Sequence, residues 1–581
     1  MKKLMLGNEA VARGAYEAGV TVATAYPGTP STEITENIAK YDDIYSEWSP
    51  NEKVALEVAI GASIAGARAI CSMKHVGLNV AADPLFTASY TGVNGGLVIM
   101  VADDPGMHSS QNEQDSRHYA RAAKVPMLEP SDSQECLDFV KKAFEISEKY
   151  DTPVIVRLST RIAHSQSFVE ISEKSDYKLK DYKKDYQKYV MMPGMARKRH
   201  VIVEKRMSEL SNDSNQSDLN HIEWKDKKIG IITSGISYQY AKEAFPEASF
   251  LKLGMVYPLP ENLIKHFAQE VEKLYIIEEL DPFIEDQVKK MGIEAIGKEK
   301  LPVTGEYSAK LIRECLTGIT EHQENKTGET APVRPPVMCP GCPHRGTFYV
   351  LKKLKLSVSG DIGYYTLGAL PPNEAMDTCV CMGASIGVLH GMEKARGKEF
   401  AQKSVAVIGD STFIHSGITG IIDIVYNKGN STVIILDNSI TGMTGHQHNP
   451  TTGFTIKGEP TKQVDLVKLA NAVGIDRVRI ADPFDIKGFE KVVREELEAE
   501  EPSVIIAQRP CALLKNVKFD GALRINREKC KKCKKCMTIG CPAIVDKGDH
   551  IEVNEALCVG CNLCTKVCAF DAFEKAGEIN G

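Results

Sequence analysis

No stretch of this chain reaches the roughly 18 consecutive apolar residues that a membrane-spanning helix needs, so no membrane association is expected. A surplus of one charge is missing too. Against 71 basic residues stand 77 acidic ones, a net of -6 over 581 residues, which speaks against a nucleic-acid groove or a basic membrane patch. The amino terminus, MKKLMLGNEAVARGAYEAGV, lacks the unbroken apolar core of a secretory signal, because Asn8, Glu9 and Arg13 interrupt it. A cytoplasmic setting is therefore expected. Thiols stay reduced there, so disulfides are not the expected use of the 16 cysteines. With 43% hydrophobic and 25% charged residues the composition is that of a soluble globular protein, long enough for roughly three or four domains.

What the chain does have is cysteine concentrated in one place. Half of its cysteines lie between residues 530 and 568, in two groups: Cys530, Cys533, Cys536 and Cys541, then Cys558, Cys561, Cys564 and Cys568. The first three members of each group are offset by the same 28 residues, an internal duplication. Three thiolates at C-x-x-C-x-x-C spacing can wrap one face of an iron–sulfur cube. A pair of zinc sites is the competing use of such thiols. The tail resembles a bacterial-type ferredoxin domain with two [4Fe–4S] clusters. That resemblance implies crossed ligation, one cluster on Cys530, Cys533, Cys536 and Cys568, the other on Cys558, Cys561, Cys564 and Cys541. Two departures stand out: one extra residue precedes Cys541, and Ala569 stands where proline is usual. An extra residue bulges a loop without removing a ligand.

Upstream, apolar runs alternate with helical patterns. VTVATAYPG, GGLVIMVADDPG and TPVIVRLST read as strands and NEKVALEVAIGASIAGARAI as a helix, all within residues 1–180. Residues 181–225 are polar and read as a linker or surface excursion. KIGIITSG, SFLKLGMVYPLP and KLYIIEEL predict three strands of a smaller α/β domain over 226–320. HQENKTGETAPVRPP reads as a linker, and a third α/β region runs from 335 to 515, before the tail at 520–581. The expected fold class is α/β, with several doubly wound parallel sheets and a C-terminal ferredoxin-like α+β domain.

In the third region SVAVIGDSTFIHSG is followed by a helical segment and then by STVIILDNSITGMTG. Two apolar strands thus end in Gly409-Asp410-Ser411 and in Asp437-Asn438. Ligands of open α/β sheets sit at such carboxyl ends, and a carboxylate beside an amide oxygen suits Mg²⁺ with phosphate oxygens. Gly409 and Gly442 would let the backbone approach a diphosphate. The arrangement resembles the Gly-Asp…Asn motif of thiamine diphosphate enzymes. The resemblance implies Mg²⁺ ligation by Asp410, Asn438 and the carbonyl of Ile440, with Ser411 in place of the commoner glycine. Such enzymes also set a glutamate against the aminopyrimidine N1′. By its spacing to Gly61, Glu52 at the opening of its helix matches it, ahead of Glu57 one turn later.

Tyr26-Pro27-Gly28-Thr29-Pro30-Ser31 is similar to the substrate loop of the 2-oxoacid:ferredoxin oxidoreductases, which implies that Thr29 binds the substrate carboxylate. With EWSPNEKVALEVAIGASIAGARA, KHVGLNVAADP, CPGCPHRG and GDIGYYTLG, the resemblance covers nearly the whole chain and points to the indolepyruvate-using alpha subunits of that family. It implies a pyrimidine domain, a transketolase C-terminal-like domain and a diphosphate domain ahead of the ferredoxin tail. It further implies oxidative decarboxylation of an aryl 2-oxoacid with coenzyme A, and electrons passing to an external ferredoxin. No domain here resembles the one that closes the active site in pyruvate-using relatives. A separate smaller beta subunit is expected, two copies of each chain forming the assembly. Those relatives bind a third cluster; here Cys339, Cys342 and Cys511 form an incomplete set, with Cys379 and Cys381 spare and Tyr364 in place of a cysteine. They also carry a substrate-holding arginine near the strand end where Asp103 and Asp104 stand, so a different pocket is expected. In the loop KHVGLN, His75 is a candidate for proton handling. The alternatives are another 2-oxoacid such as pyruvate, a non-oxidative decarboxylase, which would need no clusters, and an electron-transfer subunit without thiamine chemistry.

Overall fold

The computed structural model describes residues 1–320 and 335–577, and these form two compact units, one for each range. Most of the expected linker HQENKTGETAPVRPP lies outside the described residues. Among them, no helix is long and apolar enough to cross a membrane.

The first unit is built on a seven-stranded sheet in the order 255–257, 127–128, 154–159, 97–103, 69–74, 22–25, 45–48. All neighbours are parallel except the edge strand Met255–Tyr257. Leu97–Asp103 and Val154–Ser159 are buried at every position, as strands covered by helices on both faces must be. The helix Glu52–Ile64 starts where the Asn51 side chain accepts the Val54 N–H at 2.9 Å, a cap worth about 1 kcal/mol.

SFLKLGMVYPLP is not one strand. It breaks at Gly254 into Ala248–Leu253, in a second sheet, and Met255–Tyr257, which crosses to the first. The N–H groups of Gly254 and Met255 both donate to Asn220 Oδ1 at 3.0 Å, and the Gly254 carbonyl accepts from Glu129 N at 2.8 Å. A Cβ at Gly254 would stand 2.4 Å from the Leu219 carbonyl oxygen, so only glycine makes this step. The second sheet, in the order 273–277, 226–234, 248–253, 221–223, is parallel but for its last strand. One buried ion pair also ties the two sheets into one unit, Arg117 with Glu278 at 2.5 Å; Arg117 with Asp115 at 2.5 Å, and Arg157 with Asp103 at 2.6 Å and with Glu129, are buried pairs on the first sheet's side. Breaking one such buried pair costs ~3–5 kcal/mol.

Residues 181–225 are more than a linker. They contain the 22-residue helix Pro193–Ser214, which buries Val203, Met207 and Leu210 together with Arg199 and Arg206. Arg206 donates to the carbonyls of Asp151 (2.8 Å) and Ser89 (2.9 Å), and Arg199 pairs with Asp151 at 2.7 Å. Two of the anchors are arginines, and that is why the segment reads as solvated.

The second unit has a six-stranded parallel sheet, ordered 378–379, 357–360, 404–409, 432–437, 503–508, 477–481. The tail adds two short antiparallel ribbons, Leu523–Ile525 with Phe573–Lys575 and Ile544–Asp546 with Ile551–Val553, over a small core of Leu523, Ile544, Ile551, Val553 and Phe573.

Candidate functional site

Ser404–Gly409 and Thr432–Asp437 are neighbouring strands, so Asp410 and Asn438 emerge side by side at their carboxyl ends. Asp410 is sealed from solvent and accepts from Thr451 Oγ1 at 3.0 Å and from Asn449 Nδ2 at 3.5 Å. Burial, and after it the Asp437 charge, push its carboxyl up to about 7. A carboxylate so placed is short of a cation. Asn438 Oδ1 accepts the Ile440 N–H at 3.2 Å, which holds the amide and the Ile440 peptide in one turn through Ser439 at φ +60. Carboxylate, amide and peptide oxygens form the hard donor set that Mg²⁺ takes, so these residues fit the ion.

Both glycines also lie against tyrosine rings. A Cβ at Gly409 would lie 2.8 Å from Tyr365 Cε1, and one at Gly442 would lie 3.2 Å from Tyr364 Cδ2. Tyr364 is thus placed beside the Gly442 turn, and Ser411 is buried next to Asp410. The sequence reading missed Asn449 and Thr451. Their only signal is the small polar tract NPTTG between apolar runs.

In the first unit Glu52 is 4% exposed and lies over Gly77, whose added Cβ would meet Glu52 Oε1 at 2.6 Å. Glu57 is exposed and pairs with Lys53, so of the two glutamates Glu52 is the interior one. KHVGLN is not a loop: His75 opens the helix His75–Val80 at the end of strand Ala69–Lys74. The imidazole is fully buried, and burial lowers its pKa, against a smaller opposing effect of the nearby Asn112 and Ala102 backbone. A ring sealed from water in this way is packed as an interior residue, and no proton-handling role is proposed for it.

Asp103 and Asp104, which stand where relatives were expected to carry an arginine, are both engaged by neighbouring groups. Asp103 is spent on Arg157 and on Ser116, whose N–H and Oγ it accepts at 3.0 and 2.5 Å. Asp104 accepts from Ser109 N (2.8 Å), Ser110 Oγ (2.5 Å) and Thr160 Oγ1 (2.7 Å), which fixes the loop after the strand. That loop reaches the substrate-loop motif, since Ser109 Oγ donates to the Thr29 carbonyl at 3.2 Å. The positive charge beside it is Lys74. Its Nζ donates to the Ser109 carbonyl at 2.6 Å and to Ser109 Oγ at 3.3 Å, and a Cβ on Gly28 would touch its Cβ at 3.1 Å. Lys74 is 8% exposed and has no ion pair among the described residues; burial lowers its pKa to about 8.

In the tail, Cys541, Cys558, Cys561 and Cys564 line one cavity, and Cys530, Cys533, Cys536 and Cys568 line another. Each cavity takes three cysteines from one repeat and one from the other. The extra residue before Cys541 is absorbed in a 3-10 turn, Lys535–Ile539, closed by Gly540 at φ +74. Burial pushes the Cys536 thiol up to about 11, as for a thiol that lacks a cation to ionise against. Grouped thiols of this kind fit iron–sulfur clusters. Cys342 is half-buried, and desolvation pushes its thiol up to about 12, with Cys339 and Cys511 among its neighbours. Cys379 and Cys381 are exposed.

Residues 361–507 match a family described as thiamine pyrophosphate enzyme, C-terminal TPP binding domain, and residues 13–231 match pyruvate flavodoxin/ferredoxin oxidoreductase, thiamine diP-binding. The first range spans Asp410 and Asn438, the second Thr29 and Glu52. Fold and site together define a thiamine diphosphate-binding protein of the oxidoreductase class. Proteins named indolepyruvate oxidoreductase subunit IorA are similar almost end to end. That of Archaeoglobus fulgidus is 40% identical over 99% of this chain and 98% of its own. The Pyrococcus abyssi protein is 42% identical over 99% and 97%, and the Methanothermobacter thermautotrophicus protein 38% over 99% and 98%. The chain belongs to this IorA family.

Proposed function

We propose that this chain is the thiamine-bearing subunit of an enzyme that oxidatively decarboxylates indolepyruvate and related arylpyruvates, forming the aryl-acetyl-CoA and carbon dioxide and reducing ferredoxin. The observation that carries the reading is the end-to-end likeness to IorA subunits in a chain that also has a buried Asp410 beside the Asn438–Ile440 turn and two four-cysteine cavities. Bound thiamine diphosphate supplies the electron sink for loss of carbon dioxide. Asp410, Asn438 and the Ile440 carbonyl would hold the Mg²⁺ that accompanies its diphosphate. Glu52, its carboxylate buried over Gly77, would hold a proton at N1′ of the aminopyrimidine. Thr29 and Lys74 face the substrate carboxylate, the hydroxyl as donor and the ammonium as counter-charge.

The two cysteine sets would each hold a [4Fe–4S] cluster, which would supply one-electron carriers between the thiamine site and ferredoxin. A smaller beta subunit completes the enzyme, two copies of each chain forming the assembly, in a cytoplasmic setting. The test is an anaerobic assay of the chain with its partner subunit, coenzyme A and ferredoxin, using indolepyruvate, phenylpyruvate, pyruvate and 2-oxoglutarate. Preferred turnover of the two arylpyruvates is expected. Preference for pyruvate or 2-oxoglutarate would overturn the substrate assignment, and aldehyde without ferredoxin reduction would overturn the reaction.

A further inference from the structure

Arg345 is among the largest side chains sealed from solvent in this protein, with 2% exposure. It lies in the turn Cys-Pro-Gly-Cys-Pro-His-Arg-Gly, at the start of the helix His344–Leu354. Its guanidinium donates to carbonyl oxygens alone: Nε to Cys339 at 3.0 Å, Nη1 to Ile539 at 3.2 Å and to Gly540, and Nη2 to Met338. No carboxylate pairs with it among the described residues. Carbonyl dipoles satisfy its donors but leave a full positive charge in the interior, a costly state unless an anion stands nearby.

The cavity that Arg345 lines is the one bounded by Cys541, Cys558, Cys561 and Cys564, and one of its carbonyl partners, Gly540, directly precedes Cys541. A cubane on four thiolates is a net anion and grows more so on reduction, and nearby charge and burial set its potential. The twin cavity, of Cys530, Cys533, Cys536 and Cys568, has lysines instead: Lys531, Lys534 and Lys535. These three are exposed, and Lys534 is paired with Asp546 at 2.5 Å, so water and a carboxylate screen them. Arg509 is another cation near Cys561, but Asp482 holds it through two bonds of 2.8 and 2.7 Å. Arg345 alone of these cations is both buried and without a carboxylate.

We infer that Arg345 is the built-in counter-ion of the cluster on Cys541, Cys558, Cys561 and Cys564, raising its reduction potential above that of its twin. The inference rests on the proposed reading of the tail as a two-cluster domain. A buried cation stabilises the reduced, more negative cluster more than the oxidised one, so the effect is an upward shift. Two clusters built from duplicated loops then differ, and the electron is favoured on the one beside the Cys339–Cys342 turn.

The experiment is a reductive titration of the full chain, purified anaerobically with its iron, followed by electron paramagnetic resonance. Wild type is compared with Arg345→Gln, Arg345→Lys and Cys541→Ser, the last identifying which signal belongs to this cavity. In Arg345→Gln the midpoint potential of that cluster should fall while the other stays in place, and Arg345→Lys should stay near wild type. Loss of iron from that one site in Arg345→Gln but not in Arg345→Lys would also support the charge requirement. Unchanged potentials in a fully loaded Arg345→Gln, or equal shifts in the Gln and Lys variants, would overturn the role of Arg345. A wild-type tail that binds no iron would overturn the cluster reading together with it.

Discussion

Glu52 occupies the space above Gly77: a Cβ added there would stand 2.6 Å from Oε1 and 2.7 Å from Cγ of the glutamate. The helix that starts at His75 therefore needs a glycine in its first turn for the Glu52 carboxylate to sit where it does. Gly77→Ala should leave the chain folded and thiamine diphosphate bound, but slow the exchange of the cofactor's C2 proton by about a hundredfold, the scale of a misplaced catalytic group. Glu52→Gln should abolish that exchange with the cofactor still bound, and Glu57→Gln should change nothing. Exchange followed by proton nuclear magnetic resonance checks all three; near-normal exchange in Glu52→Gln would transfer the role elsewhere.

Asp410 is expected to control cofactor retention and not proton exchange. Asp410→Ala should weaken Mg²⁺-dependent thiamine diphosphate binding strongly. Thr451→Val, which removes one hydrogen bond of 3.0 Å to the carboxylate, should weaken it only severalfold. Calorimetry with and without Mg²⁺ reads both. Equal, Mg²⁺-independent losses would place the ion somewhere else.

Lys74 carries the pH dependence. Burial brings its pKa down to about 8, so the ammonium is present below that pH and lost above it. If it binds the substrate carboxylate, kcat/KM for the arylpyruvate should fall as pH rises through about 8. Arg in its place stays charged, and Lys74→Arg should remove that alkaline limb. Lys74→Met should raise KM by about ten- to a hundredfold, the worth of a charged hydrogen bond at ~1.5–3 kcal/mol, with a smaller change in kcat. An alkaline limb that persists in Lys74→Met would assign it to another group.

The tail should hold about eight irons per chain, four for each cubane. Because each cavity borrows one cysteine from the other repeat, Cys541→Ser should perturb the cluster of Cys558, Cys561 and Cys564, while Cys568→Ser should perturb that of Cys530, Cys533 and Cys536. Iron analysis with spectroscopy of the two variants distinguishes them; perturbation within the same repeat would mean uncrossed ligation. A count near twelve would show that Cys339, Cys342 and Cys511 complete a third site.

The isolated chain should bind thiamine diphosphate yet turn over poorly, with acyl-CoA synthesis restored by a second polypeptide. Assay of the purified chain with indolepyruvate, coenzyme A and ferredoxin checks this. Full synthesis by the chain alone would remove the need for the partner.

Much of this protein is written locally. The unalternating runs LVIMVAD and VIVRLS are strands of a covered parallel sheet because only a surface buried on both faces favours such a run. That Asp410 and Asn438 would meet at neighbouring strand ends was legible because each closes an apolar run and a helical segment joins the two, and the shared cavities of the cysteine repeats because their spacing is duplicated. What the sequence could not display is what distant segments do to one another. Gly254 looks like one residue of a long strand until Asn220 and Leu219 force the chain from one sheet into the next. Pro193–Ser214 looks solvated until Ser89 and Asp151 receive its arginines. Asp103 and Asp104 look like a pair until Arg157 takes one and the Ser109 loop the other. Lys74 and His75 are neighbours in one motif, and only the fold buries the histidine in the core and sets the lysine against Ser109, which reaches the Thr29 loop. Composition and spacing decide which groups a chain can offer. Burial and through-space charge decide which of them stay ionised and what they face, and those quantities exist only once the segments have met.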